Sequence, residues 1–100
     1  MKILTICQKG NSRSVALGYL LKKKRHDTLA MGMKTSTEQT RNMLYDWAEL
    51  IILLAKRYEV LIPSQHKDKL IVWDIKDYFN GHDERLINQL QEQLKNETIS

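Results

Sequence analysis

Residues 3–14 read ILTICQKGNSRS, and this run places a strand, a turn and a helix start in immediate succession. The segment from Ile3 to Cys7 favours β-structure and has no polar face, as expected of a strand buried on both sides. Gly10 and Asn11 tolerate the positive φ of a tight turn, and Ser12 is a favourable helix N-cap. The run therefore predicts the strand, loop and helix that open an α/β domain.

The rest of the chain continues this alternation of strands and helices. We predict a first helix ending near His26-Asp27, a second strand at 28–31, a helix opened by a capping box of Thr35 and Glu38, a third helix limited by Pro63, a turn at 66–69, a fourth strand at 70–73 and a last helix capped by Asp83.

Residues 43–62 are compatible with one long helix or with a helix, a strand and another helix. We favour the second interpretation, because the run Leu50–Leu54 has no polar face and suits a central strand. The predicted fold is thus α/β, with four parallel strands between two helical layers in a single domain spanning residues 1–100.

Composition narrows the classes of function. The chain has 100 residues, of which 42% are hydrophobic and 28% charged, as in ordinary globular domains. Cys7 is the only cysteine, so no intramolecular disulfide can form and a reducing, cytoplasmic location is expected. The most apolar stretch, Leu50–Ala55, is far too short for a membrane span, so no membrane association is expected.

The distribution of charge argues against a nucleic-acid-binding protein, and the spacing of the histidines argues against a metalloprotein. The net charge is +4, and much of the excess lies at 22–25. We interpret this cluster as cations at a helix C-terminus rather than a nucleic-acid footprint, because no aromatic residues are interleaved with it. His26, His66 and His82 lie in separate predicted turns without metal-ligand spacing, so no metal or other cofactor is predicted.

The chemistry of the chain is expected in the loop that follows the first strand. Cys7 is followed by five residues, then by Arg13 and Ser14. A loop of this length can point several backbone N–H groups at one anion, and the helix N-terminus adds partial positive charge. Arg13 supplies a planar fork for two phosphate oxygens. The residues predicted to bind the anion are Gln8, Lys9, Gly10, Asn11, Ser12 and Ser14.

The same loop is expected to activate the thiol of Cys7. The positive field should lower the pKa of Cys7 and give a thiolate at neutral pH. A Ser14 hydroxyl turned toward the sulfur would stabilise that thiolate further. Cys7 is therefore the predicted nucleophile.

On these residues the chain resembles the low-molecular-weight protein tyrosine phosphatases, and more closely a short phosphatase-like branch of about this size. The resemblance spans nearly the whole chain and includes 46–51 (DWAELI), similar to the segment entering the third strand, and 73–78 (WDIKDY), similar to the acid loop. It implies a parallel sheet of order 2-1-3-4.

The resemblance also implies a double displacement in which Cys7 attacks phosphorus and Arg13 binds the equatorial oxygens. Asp77 aligns with the general acid of the family, and Asp74 is the second choice. Tyr78 stands where the family usually has proline, and with Phe79 it is a candidate for gripping a phenyl ring. The implied partner is a phosphorylated protein or a small phosphomonoester, and a phosphate or sulfate ion should fit the loop.

The chain departs from the family at two further places, and three functions remain open. Gly10 and Asn11 lie one place later than usual, and Met33, Lys34 and Thr35 replace an aromatic wall. The candidates are a phosphatase, an arsenate reductase that uses an external thiol, because only Cys7 is present, and a non-catalytic phosphate-binding module.

Overall fold

The computed structural model describes residues 1–10, 12–76, 83–97 and 99. In chain order its elements are β1 (Lys2–Cys7), α1 (Arg13–Lys23), β2 (Asp27–Gly32), α2 (Glu38–Trp47), β3 (Leu50–Leu53), two 3₁₀ helices (Lys56–Leu61 and Ser64–Lys69), β4 (Leu70–Val72) and α3 (Glu84–Asn96). The strands form one parallel four-stranded sheet of order β2-β1-β3-β4. The predicted fold class and strand order are therefore confirmed.

The central position of β1 follows from its apolar sequence. Every residue from Lys2 to Cys7 pairs with β2, and Ile3 to Ile6 also pair with β3. Ile3, Leu4 and Ile6 are all 0% exposed. Burial of each such side chain stabilises the fold by about 1.5–3 kcal/mol. The strand that ends at Cys7 is thus fixed by neighbours on both sides.

Helices cover both faces of the sheet. On one face, α1 and α3 pack against the face of β1 that carries Ile3 and Cys7. In α3 the buried side chains recur every fourth residue, at Leu86, Leu90 and Leu94, as on one face of an amphipathic helix. The other face is covered by α2 and the first 3₁₀ helix. Among the described residues, no helix has the length and apolar character needed to cross a bilayer.

The predicted helix caps are correct at α3 and wrong at α2. Asp83 accepts a hydrogen bond from the backbone N–H of Arg85 at 2.9 Å, as expected of an N-cap. At α2 the N-cap is Thr37, whose hydroxyl accepts from Thr40 N–H at 3.1 Å. Thr35 does not open the helix, because its hydroxyl instead donates to the carbonyl of Lys9.

Other boundaries also differ from the sequence-based expectations. Helix α1 begins directly after Ser12, but the Ser12 side chain makes no capping hydrogen bond, and the helix ends at Lys23 rather than near His26. The predicted third helix is the 3₁₀ helix Lys56–Leu61, and the predicted turn at 66–69 lies within the second 3₁₀ helix. Pro63 leaves too short a run between β3 and itself for a longer α-helix.

Candidate active site

Cys7 is the last residue of the central strand and lies at the carboxyl end of the sheet. Its side chain is 1% exposed. In open parallel sheets, ligands bind beyond the carboxyl ends of the strands, where the strand order changes direction. In this sheet that change occurs at β1, which has β2 on one side and β3 on the other. The predicted nucleophile therefore occupies the expected ligand crevice.

The loop after Cys7 turns back onto its sulfur. Gly10 has φ +72°, a conformation that side-chain-bearing residues rarely adopt. Its backbone N–H donates to Cys7 Sγ at 3.2 Å. The backbone N–H groups of Ser12 and Ser14 also stabilise the sulfur by hydrogen bonding. Amides from one side of the loop thus converge on one atom, as the predicted anion cradle requires.

The connection between β2 and α2 braces the outside of this loop. The backbone N–H groups of Met33 and Lys34 donate to the carbonyls of Cys7 and Gln8, at 2.9 and 2.8 Å. The hydroxyl of Thr35 donates to the carbonyl of Lys9 at 3.1 Å. Consecutive loop carbonyls are therefore engaged on the outer side, while the amides described above face the sulfur.

Glycines permit the close contact between the loop and its brace. A Cβ added to Gly10 would lie 2.5 Å from the backbone nitrogen of Gly32. A Cβ added to Gly32 would overlap the carbonyl group of Lys9. The loop and the end of β2 are thus packed backbone against backbone, and neither glycine can carry a side chain without a shift of the main chain.

Ser14 approaches the sulfur from the first turn of α1. Its hydroxyl lies 3.1 Å from Cys7 Sγ, and the residue is fully buried. The hydroxyl of Thr5, also buried, donates to the Ser14 carbonyl at 2.8 Å. This contact ties the start of α1 to β1 and fixes the Ser14 side chain beside Cys7, as the sequence predicted.

These contacts lower the pKa of Cys7. Burial is the largest single influence and raises the pKa of the thiol, because it disfavours the charged form. The Ser14 hydroxyl and the backbone N–H groups of Ser14, Gly10 and Ser12 act in the opposite direction. Together they outweigh burial, so the pKa lies below the ordinary value of a cysteine. Hydrogen bonding, rather than solvent, stabilises the thiolate.

Arg13 connects the loop to the ends of two other segments. The residue is 6% exposed, and its Nη1 donates to the carbonyls of Leu54 and Ile75, both at 3.0 Å. Leu54 follows β3 directly, and Ile75 lies three residues beyond the end of β4. The guanidinium is therefore fixed at the carboxyl edge of the sheet, next to the segment that leads to Asp77.

Beside Arg13 and the first residue of the loop after Cys7, the edge of the sheet opens into a pocket of about 270 Å³. It is lined by Gln8, Arg13, Ala55, Lys56, Arg57 and Asp74. Asp74, the second candidate for the general acid, is thus on the pocket wall. Four residues that the sequence also predicted in the site lie outside the described residues: Asn11, Asp77, Tyr78 and Phe79.

Sequence reasoning missed Lys56 and Arg57. Nη2 of Arg57 donates to the side-chain oxygen of Gln8, so this arginine reaches the predicted anion loop directly. Their position in the sequence could have indicated this location. Both residues follow β3 closely, and residues that follow the carboxyl ends of parallel strands meet at one edge of the sheet.

No protein-family model matches the chain, and no curated protein sequence matches it. Several solved structures match the chain over nearly its whole length. An arginine phosphatase from Geobacillus stearothermophilus is 20% identical, with a TM-score of 0.67 over 98% of this chain and 95% of its own. A low molecular weight protein tyrosine phosphatase from Bacillus subtilis is 17% identical, with a TM-score of 0.59 over 98% and 99%. The chain has the fold of the low-molecular-weight protein tyrosine phosphatases.

An arsenate reductase in the phosphate binding state has the same fold. Its sequence is 16% identical to this chain, and the two structures align with a TM-score of 0.66 over 99% of this chain and 98% of the reductase. The resemblance inferred from residues 7–14 is therefore confirmed at the level of the fold. Within that phosphatase fold, the described residues place Cys7, Ser14 and the loop amides together, with Arg13 and Asp74 on the adjoining pocket.

Proposed function

We propose that this protein is a cysteine-dependent phosphatase that hydrolyses phosphomonoesters, with phosphotyrosine as the leading substrate. One observation carries the proposal: backbone amides and the Ser14 hydroxyl converge on Cys7 Sγ and lower its pKa. A buried structural cysteine needs no such set of donors. The same donors can bind the oxygens of a phosphoryl group held against the sulfur.

The proposed reaction has two displacements at phosphorus. The Cys7 thiolate forms an S–P bond as the P–O bond to the leaving group breaks, and the leaving oxygen takes a proton from a general acid. Water then attacks phosphorus and breaks the S–P bond, releasing phosphate and the thiolate, while the conjugate base accepts the proton of the water. The loop amides and Arg13 stabilise the charge on the equatorial oxygens in both steps.

Two carboxylates are candidates for the general acid. Asp77 is our first choice, on the resemblance to the family's acid loop, and Tyr78 beside it is the proposed contact for a phenyl ring. Asp74 lines the pocket with Arg13 and Gln8 and is the second choice. Replacement of the acting acid by asparagine should lower kcat by about 10²- to 10⁴-fold and leave phosphate binding intact.

The substrates to be assayed follow from the chemistry of the site. The cradle recognises a phosphoryl group, so a phosphorylated protein, a small phosphomonoester or free phosphate can occupy it. Because a structural neighbour is an arginine phosphatase, phosphoarginine belongs in the panel beside phosphotyrosine. A thiolate nucleophile remains active only while reduced, which is consistent with a cytoplasmic location.

The proposal is tested by hydrolysis of p-nitrophenyl phosphate with and without vanadate. The wild-type protein should release p-nitrophenol, vanadate should inhibit it, and Cys7→Ser should abolish turnover while leaving the circular dichroism spectrum and phosphate binding unchanged. Turnover that survives in Cys7→Ser would remove Cys7 from the nucleophile role. Phosphate binding without turnover in the wild-type protein would instead indicate the non-catalytic binding module.

Arsenate reduction is the second candidate, because an arsenate reductase shares this fold. In that reaction Cys7 forms an S–As bond to arsenate with loss of water. Because Cys7 is the only cysteine, an external thiol must attack its sulfur. The S–S bond forms, the S–As bond breaks with its electron pair going to arsenic, and arsenite leaves with arsenic reduced from the +5 to the +3 state. A second external thiol then displaces Cys7 from the mixed disulfide and forms a disulfide with the first thiol. Thiol-dependent consumption of arsenate without ester hydrolysis would select this function.

A further inference from the structure

Two cations form one side of the pocket beside the Cys7 loop. Lys56 and Arg57 follow Ala55 just after β3, and both line the cavity of about 270 Å³ that Arg13 and Gln8 also line. These cations lie at the start of the first 3₁₀ helix, and both are exposed. They therefore stand at the mouth of the pocket, whereas Arg13 is buried in its wall.

Lys56 and Arg57 have no ion-pair partner among the residues that the structure describes. Arg57 donates to the neutral amide oxygen of Gln8. Asp74 is the only acidic residue among the described residues that line the pocket. An anionic group at the mouth of the pocket would therefore meet two exposed cations and one carboxylate, an excess of positive charge.

We propose that Lys56 and Arg57 form a subsite that selects phosphopeptides with an acidic side chain next to the phosphorylated residue. The inference rests on the proposed phosphatase function and adds the substrate class to it. Consecutive Cα atoms of a peptide are about 3.8 Å apart, and a bound peptide that is bent beside the phosphorylated residue brings the neighbouring carboxylate to the cations at the pocket mouth. Opposite charge at a pocket mouth also speeds the encounter with substrate.

The two cations have different roles in this subsite. Arg57 contacts Gln8 and so also influences the position of the loop. The Lys56 side chain makes no hydrogen bond or ion pair to any other described residue, which makes it the better probe of charge alone. An exposed charge pair contributes modestly and is screened by salt. The expected preference is therefore small, specific and dependent on salt.

The experiment compares two phosphotyrosine peptides that differ only in Glu or Gln beside the phosphorylated residue. The wild-type protein should have a kcat/KM about threefold higher for the Glu peptide. Lys56→Glu should reverse the preference, and 0.5 M NaCl should abolish it in the wild-type protein. Lys24→Glu, the same charge change at the far end of α1, should retain the wild-type ratio.

Failure of the subsite and failure of the phosphatase function are distinguishable. Equal rates for the two peptides, or a ratio unchanged in Lys56→Glu, would overturn the subsite while hydrolysis continues. Absence of hydrolysis of both peptides and of p-nitrophenyl phosphate would overturn the proposed function. In that case the Kd values of the same two peptides are measured with the Cys7→Ser protein. Tighter binding of the Glu peptide that disappears in the double variant Cys7→Ser/Lys56→Glu would support the subsite. Equal Kd values for the two peptides would overturn it.

Discussion

The loop after β1 and the segment after β4 face the same pocket but are held in different ways. The loop is fixed by backbone hydrogen bonds to Met33 and Lys34 and by contact between two glycines. The segment after β4 is held by the burial of Trp73 and Ile75 and by the side chain of Arg13, which donates to the carbonyl of Ile75. The cradle is therefore fixed by main-chain contacts, whereas the acid side of the pocket is fixed by side chains, that of Arg13 among them.

The largest effect is expected where the backbone packing of the loop is broken. In Gly32→Ala the new Cβ overlaps the carbonyl of Lys9, so the loop must shift. We expect a loss of stability of about 2 kcal/mol and a fall in kcat/KM of roughly 100-fold, because small displacements of reacting groups are that costly. Chemical denaturation and p-nitrophenyl phosphate hydrolysis measure the two effects.

Gly18→Ala is the matched control for this change. A Cβ at Gly18 would lie 3.5 Å from the Thr28 hydroxyl, which is ordinary contact. Because Gly18 is inside α1, alanine should leave stability unchanged or raise it by up to about 1 kcal/mol. Equal losses in the two variants would show that the Gly32 contact does not shape the cradle.

The next effect concerns Arg13, a side chain that joins the two regions. Arg13→Lys removes the fork that reaches the carbonyls of Leu54 and Ile75. We expect kcat/KM to fall by roughly 100-fold, as for loss of one transition-state donor, and phosphate binding to weaken. Arg85→Lys, on an exposed pair with Asp83, should remain within twofold of wild type. An Arg13→Lys protein with normal kinetics would contradict the proposed role of the guanidinium.

A smaller effect is expected when a hydrogen bond to the Cys7 sulfur is removed and the backbone of the loop is left unchanged. Ser14→Ala removes the hydroxyl that lies 3.1 Å from Cys7 Sγ and lowers the pKa of the thiol. The pKa should rise, so the acid limb of the kcat/KM profile should move to higher pH, since the thiolate then forms only at higher pH. At neutral pH the rate should fall about tenfold, as for loss of a hydrogen bond to a charged group.

Alkylation of Cys7 by iodoacetate gives the same pKa without turnover. The pH dependence of its rate should shift upward in Ser14→Ala together with the kinetic profile. Thr28→Val removes another buried hydroxyl, one that donates to the Gly18 carbonyl and not to the sulfur. This control should leave both profiles in place, and an unshifted profile in Ser14→Ala would exclude the hydroxyl from thiolate stabilisation.

The parts of the site that the sequence predicted are those encoded locally. Cys7, Ser14 and Gly10 lie within eight residues of one another, so their closeness could be predicted from the strand, loop and helix between them, whereas the brace from residues 33–34 could not. Lys56 reaches the pocket only because β3 pairs with β1. That pairing is a property of the whole sheet, so spacing along the chain could not place the residue in the pocket.

The N-cap of α2 was also predicted wrongly because it depends on a contact between residues that are distant in the sequence. Thr35 and Glu38 fit a capping box by spacing, and Thr37 carries an equally suitable hydroxyl two residues later. Which threonine caps the helix depends on the nearby Lys9 carbonyl, which accepts from Thr35 and belongs to a loop 26 residues earlier. A local rule contains no information about that carbonyl, so the cap was assigned to the wrong threonine.

The smallest effects test whether these two threonines really have separate roles. Thr37→Val removes the helix cap and should lower stability by about 1 kcal/mol with kcat/KM unchanged. Thr35→Val removes one exposed brace of the loop and should lower kcat/KM by about two- to threefold, with a stability loss of about 0.5 kcal/mol. Denaturation midpoints and p-nitrophenyl phosphate kinetics on both variants decide the matter. If Thr37→Val lowered activity and Thr35→Val lowered only stability, the hydroxyls would have the opposite roles and the side chain at 35 could not be a brace of the cradle.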